Sequence, residues 1–145
     1  MARERSPEDP FQALDHTLPF KGPEAIDAGV LECFEYEYAD SPVGGHIEIV
    51  TTTEEFTSVC PFSGLPDFAA LRISYVPRKR LIELKSLKLY LYAFRGVKIY
   101  NEHAVNKILE DVTGVLVPRA MTVVAEFTSR GGMKNKVTAA YKNNR

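Results

Sequence analysis

A chain of 145 residues with 45% hydrophobic and 26% charged side chains suits one globular domain with a real core and is short for two. No run approaches the ~20 apolar residues of a membrane-spanning helix, and the polar opening segment lacks the apolar centre of a signal peptide. Two cysteines, Cys33 and Cys60, make no disulfide framework, so a reducing cytoplasm is the expected location.

Residues 1–28, rich in proline and acids, read as a flexible arm ahead of a single domain at 29–145. Residues 30–38 alternate as a strand, with Leu31, Cys33, Glu35 and Glu37 on one side and Glu32, Phe34, Tyr36 and Tyr38 on the other. A turn over 40–45 leads to the β-branched run 46–53, a second strand that can continue toward Cys60. After a loop at 60–67, residues 69–76 read as a third strand, ended by Pro77.

The period then changes. Leu84, Leu87, Leu91 and Phe94 share one face of a helix over 84–95, while Lys85, Lys88, Tyr92 and Arg95 lie three or four apart on another; Gly96 stops it. A second helix over 102–113 turns Val105, Ile108 and Leu109 inward, with Asn101 as cap candidate, and Pro118 closes the region. Residues 120–128 alternate as a strand, Arg130-Gly131-Gly132 makes a turn, and 133–141 is a weaker last strand. Strands, two helices, then strands, with short connections, predict an α+β domain: an antiparallel sheet with both helices packed on one face. The other face and the sheet edges then need a cover, which a ring of like subunits would supply.

The net charge of −1 conceals a division. Residues 1–59 carry thirteen acids and three bases, whereas 68–100 carry eight bases (Arg72, Arg78, Lys79, Arg80, Lys85, Lys88, Arg95, Lys98) and one acid, Glu83. A positive field there suits the phosphates of a nucleotide cofactor or of nucleic acid. Equally, the acidic segment could simply cover the basic one.

Cys60 stands between a β-branched stretch and a turn holding Pro61, Gly64 and Pro66, with Asp67 seven residues on. The prolines restrict the backbone and Gly64 lets it fold back, so the carboxyl group can return toward the sulfur. A thiolate that attacks an electrophilic carbon while a carboxyl group manages the proton is covalent catalysis. The plainer alternative, a structural cysteine beside an ordinary turn, is the commoner fate of a free thiol. In Glu83-Leu84-Lys85-Ser86-Leu87-Lys88, two lysines one helical turn apart near a helix start make a candidate phosphate clamp, or else a solvated helix face. Cys33 reads as packing. Cys33, Cys60, His16, His46 and His103 have no metal-ligand spacing, so no metal is expected. There is no G-x-G-x-x-G, and a Rossmann-bound cofactor is not expected either.

Glu83-Leu84-Lys85-Ser86-Leu87-Lys88, with Tyr92-Ala93-Phe94-Arg95-Gly96 after it, resembles the signature of the NADPH-dependent 7-cyano-7-deazaguanine reductases, nitrile reductases of queuosine biosynthesis. Cys60-Pro61-x-x-Gly64-x-Pro66-Asp67-Phe68-Ala69, Glu102 with Val105-Asn106, and Arg130-Gly131-Gly132 match in the same order, over roughly residues 45–133. The resemblance, to the short single-domain type, implies a tunnel fold assembled into rings, two of which stack. It implies that Cys60 adds to the nitrile carbon of 7-cyano-7-deazaguanine as a covalent thioimide, that Asp67 protonates the nitrogen, and that two NADPH complete the reduction to 7-aminomethyl-7-deazaguanine. By the same resemblance Glu102 grips the purine-like base, Ile82, Glu83 and Leu84 line the substrate pocket, and Lys85, Lys88 and Arg130 handle NADPH phosphates. Arg78, Lys79 and Arg80 are further candidates on charge alone.

One position departs from the pattern. Well-known members carry histidine directly before the acid, and here that place is Asn101; His103 is out of register. An amide can hydrogen-bond the base but cannot titrate near neutrality. Two rival functions remain at this point. An archaeosine-type amidinotransferase acting on 7-cyano-7-deazaguanine within tRNA would use the same cysteine and aspartate, but lacks the Glu-x-Lys-x-x-Lys segment. A non-catalytic nucleic-acid-binding module would use the basic segment and leave Cys60 and Asp67 idle. On the leading reading no nucleic acid and no membrane is contacted directly, and the partners are the small substrate and further copies of the chain.

Overall fold

The computed structural model describes residues 20–43 and 46–145. Four strands, β2 (Ile49–Val59), β3 (Pro66–Val76), β5 (Ala120–Arg130) and β6 (Met133–Lys142), form an antiparallel sheet in the order β2-β3-β5-β6. Alternation sets its two faces. Along β3, Asp67, Ala69, Leu71, Ile73 and Tyr75 are buried, while Phe68, Ala70 and Arg72 are exposed. Met121, Val123, Ala125 and Phe127 continue the buried face across β5. Gly131 and Gly132 both have positive φ, 55° and 77°, as a two-residue hairpin that follows the strand twist requires.

The buried face is covered by two α-helices, α1 (Leu84–Tyr92) and α2 (Asn101–Leu116), with α1 beside β2 and α2 across β5 and β6. The expected α+β arrangement is therefore present. Helix α2 presents Ala104, Val105, Ile108, Val112 and Leu116 to the core at helical spacing. It begins one residue earlier than expected: Tyr100, with extended φ/ψ, is the cap position and Asn101 is already helical. Leu87 and Phe94 of the expected α1 face are buried, but Leu84 is 59% exposed and Tyr90 takes its place in the core. Tyr90 can be buried because its hydroxyl donates to Asp111 Oδ2 at 2.6 Å, so no polar atom is stranded.

The strand expected over 30–38 contracts to β1 (Cys33–Glu35), which pairs with the short β4 (Arg80–Ile82). A 3-10 turn at Ala28–Val30, capped by Asp27, precedes it, and beyond the three paired residues only single backbone hydrogen bonds continue the pairing, Glu83 N to Glu32 O and Tyr36 N to Lys79 O. Of the acidic arm, residues 1–19 lie outside the described residues, as do Gly44 and Gly45 of the expected turn. Residues 20–28 are docked on the domain: Lys21 exchanges backbone hydrogen bonds with Gly96 and Lys98, and Ile26 joins the core. Among the described residues no helix is long and apolar enough to cross a membrane.

Candidate active site

The end of β2 is fixed on one edge by 97–99: Val59 donates to the Val97 carbonyl and accepts from the Ile99 amide, each at 3.0 Å. Beyond Val59 the chain turns sharply. The Cys60 amide donates to Leu65 O and the Gly64 amide to Cys60 O, both at 2.9 Å, with Gly64 at φ 70°. Only glycine takes that conformation without strain. This closure makes the loop shorter than expected. Pro66 opens β3, where a missing N–H is tolerated, and Asp67 lies in the strand directly across from Ser58.

Asp67 has its side chain 11% exposed and pairs with Arg130, Nε to Oδ1 at 3.2 Å. The same guanidinium donates to the Pro66 carbonyl and to Ser63 Oγ, the latter at 3.5 Å. Burial pushes the Asp67 carboxyl above the usual carboxylate range, and the Arg130 charge only partly opposes it. The Cys60 thiol moves the other way. Hydrogen bonding from Ser63, whose amide lies 3.5 Å from Sγ, holds it below its ordinary value; burial pulls it back, the Phe62 amide lowers it, and the Asp67 charge raises it. A lowered thiol beside a raised carboxyl supplies a nucleophile and a proton donor together.

The start of α2 belongs to the same end of the molecule, because Ile99, two residues before Asn101, is bonded to Val59. Asn101 Oδ1 is buried without a hydrogen-bond partner among the described residues. Glu102 is exposed and accepts from Asn135 Nδ2 at 3.2 Å, close to the β5–β6 hairpin that carries Arg130. Cys60, Asp67 and Arg130 are thus gathered, and Asn101 and Glu102 lie at the same end of the molecule.

Ile82, Glu83, Leu84, Lys85 and Lys88 are not brought to this cluster. Ile82, Glu83 and Leu84 line a groove with Ile49, Val50 and Tyr75, at the opposite end of β2 and β3. Nine residues of strand lie between Ile49 and Val59, a span of about 30 Å. Glu83 caps α1, its oxygens accepting from Lys85 N at 2.8 Å and Ser86 N at 2.7 Å, and those bonds lower its carboxyl group. Lys85 and Lys88 are exposed one turn apart on α1. Arg130, expected to act with these lysines, sits instead with Asp67 and the Cys60 loop. Ser58 and Ser63 carry little signal of a role in the sequence. Strand alternation two residues before Cys60 could have flagged Ser58; Ser63 had no signal beyond lying in the turn.

Residues 66–145 match the family model described as QueF-like protein. The chain is 50% identical over 121 residues to the NADPH-dependent 7-cyano-7-deazaguanine reductase of Caldicellulosiruptor bescii, covering 83% of this chain and 89% of that one. Against the enzyme of the same name from Thermomicrobium roseum the identity is 53% over 95 residues, covering 66% and 74%. The crystal structure of an archaeosine synthase of the QueF-like type, in its apo form, superposes with a TM-score of 0.59 at 23% identity, covering 69% of this chain and 96% of that one. At that identity the last likeness carries the fold alone.

Proposed function

The chain belongs to the QueF-like family, and we propose that it reduces the nitrile of 7-cyano-7-deazaguanine to the aminomethyl group of 7-aminomethyl-7-deazaguanine with two NADPH, as a step of queuosine biosynthesis in the cytoplasm. The observation that carries this reading is the pairing of a lowered thiol, Cys60, with a raised carboxyl, Asp67, at the closed end of one strand pair. Relatives about half identical to the chain bear the reductase name, and the Glu83-Leu84-Lys85-Ser86-Leu87-Lys88 segment is intact. Both favour the reductase over an amidinotransferase.

Cys60 thiolate adds to the nitrile carbon, one C–N π bond breaks, and the nitrogen takes the Asp67 proton, leaving a thioimide and a carboxylate. Glu102 accepts from the ring N–H and exocyclic amine of the base, since an exposed carboxylate is the complement of two adjacent donors. Asn101 turns its unpartnered amide oxygen to the same base. NADPH supplies a hydride at each of two reduction steps. The exposed Lys85 and Lys88 fit its phosphates as point charges, and Arg130, gathered with Asp67, is a further phosphate ligand only if it leaves that pair.

In one chain the Cys60 loop and the Ile82–Leu84 groove lie at opposite ends of β2, and Lys88 lies beside Thr51–Phe56 between them. A site that uses both is completed by a second copy, which supports the tunnel-fold ring, and a stack of two rings, as the working assembly. The test is to mix the protein with 7-cyano-7-deazaguanine alone and then with NADPH. A substrate adduct on Cys60 should appear in the intact mass, vanish in Cys60→Ala, and discharge as the nicotinamide absorbance falls. No adduct on the native protein would remove the mechanism.

A further inference from the structure

Ser58 is fully buried, and its Oγ has no hydrogen-bond partner among the described residues. A buried hydroxyl left unpaired is costly, and natural cores rarely keep one without a use. Its position is specific. Ser58 is the register partner of Asp67, in the regular stretch of the β2–β3 ladder beyond the irregularity at Thr53/Phe56. Directly opposed residues of an antiparallel pair share a face with Cβ atoms about 5 Å apart. Ser58 also stands two residues before Cys60, near the end of β2.

We propose that Ser58 is a positioning residue for Asp67, its hydroxyl turning about χ1 to donate to the carboxylate once the carboxyl proton has passed to the nitrile nitrogen. This rests on the nitrile-reductase reading. The step balances as thiolate plus carboxylic acid plus nitrile giving thioimide plus carboxylate, with no electron transferred. The charge left behind is on a side chain 11% exposed, where polar groups on adjoining elements must answer it. Arg130 of β5 meets Oδ1. Cys60 of the loop, once covalently bound, carries no charge. From β2 the opposed residue is Ser58, which reaches the carboxylate from the strand side. A hydroxyl that is free before transfer and bonded after it stabilises the product of proton transfer more than the reactant, and that difference lowers the barrier. The raised Asp67 carboxyl agrees with an acid whose conjugate base waits for a donor.

The test compares native protein with Ser58→Ala and Ser58→Thr, following adduct formation from 7-cyano-7-deazaguanine without NADPH across a pH series. Native protein that forms no adduct defeats the underlying reading itself. Where the native adduct forms, Ser58→Ala should slow it about tenfold, the worth of a hydrogen bond to a charged group. Its alkaline limb should also move up by about one pH unit, because the acid loses the donor that stabilises its base. Ser58→Thr, which keeps the hydroxyl, should restore the limb. A Ser58→Ala protein with an unshifted limb, whatever its melting temperature, overturns the role of Ser58 and leaves Cys60 and Asp67 untouched. If Ser58→Ala does not fold, the alkaline limb of Ser58→Thr decides: native position supports the proposal, and displacement with normal melting overturns it.

Discussion

Arg130 Nε lies 3.2 Å from Asp67 Oδ1, joining the last residue of β5 to the second residue of β3. The same side chain reaches the Pro66 carbonyl and Ser63 Oγ, so one guanidinium ties Asp67, the strand start and the turn that lowers the Cys60 thiol. The fork geometry of arginine makes this possible; a lysine offers one point charge.

Arg130→Ala should therefore slow adduct formation in the absence of NADPH, by about 10- to 100-fold, the range that misplacing a reacting group brings. Arg130→Lys should recover little. Stopped-flow mass or absorbance measurements on substrate alone make the comparison. If the adduct forms at the native rate and only the NADPH requirement rises, Arg130 serves the cofactor and not the loop.

Asp67 is raised by burial, so the folded state favours its protonated form over the unfolded chain. Its contribution to stability is complete below the ordinary carboxylate range and is lost as pH rises through the raised value. Above that value the buried charge weighs against the fold. Asp67→Asn should accordingly melt higher than the native protein at pH 7, with the advantage closing as pH falls toward about 4, while turnover is lost. Calorimetry at the two pH values checks this. An offset equal at both would mean that charge is not its cause.

Much of this arrangement is legible in the chain, because period and punctuation are local. Alternation through β3 and β5, the helical stripe of α2 and the paired glycines at 131 and 132 each announce their element. Element boundaries are less local. Pro66 looks like turn punctuation yet opens a strand, which moves Asp67 from loop to sheet. Leu84 outranks Tyr90 on hydrophobicity alone, but Asp111, 21 residues away, satisfies the phenol and lets it into the core. The tie between Arg130 and Asp67 joins residues far apart in sequence through strand register, and no local pattern encodes that. Nor does the motif containing Lys85 and Lys88 carry its distance from Cys60.

Lys85 and Lys88 are exposed on α1, away from the Cys60 cluster. Replacing both by alanine should raise the KM for NADPH about tenfold or more, as loss of charge-assisted phosphate contacts does. The fold and the NADPH-free adduct should persist, since neither lysine lies in the core. Steady-state kinetics against NADPH, set beside the intact mass with substrate alone, separates the two effects. Loss of the adduct would instead assign these lysines to the substrate or to assembly.

The separation of the two clusters within one chain leads to a test of assembly. Cys60→Ala and the Lys85→Ala/Lys88→Ala double variant should each be inactive or nearly so alone at limiting NADPH. If each site takes Cys60 from one subunit and the lysines from its neighbour, dissociating and remixing the two variants in equal amounts should rebuild intact sites. Random partnering makes about a quarter of the interfaces native on both sides, so activity should rise toward about 25% of the native value. Light scattering on the remixed sample confirms reassembly. Full reassembly with no gain in activity would place both clusters of a site in the same subunit.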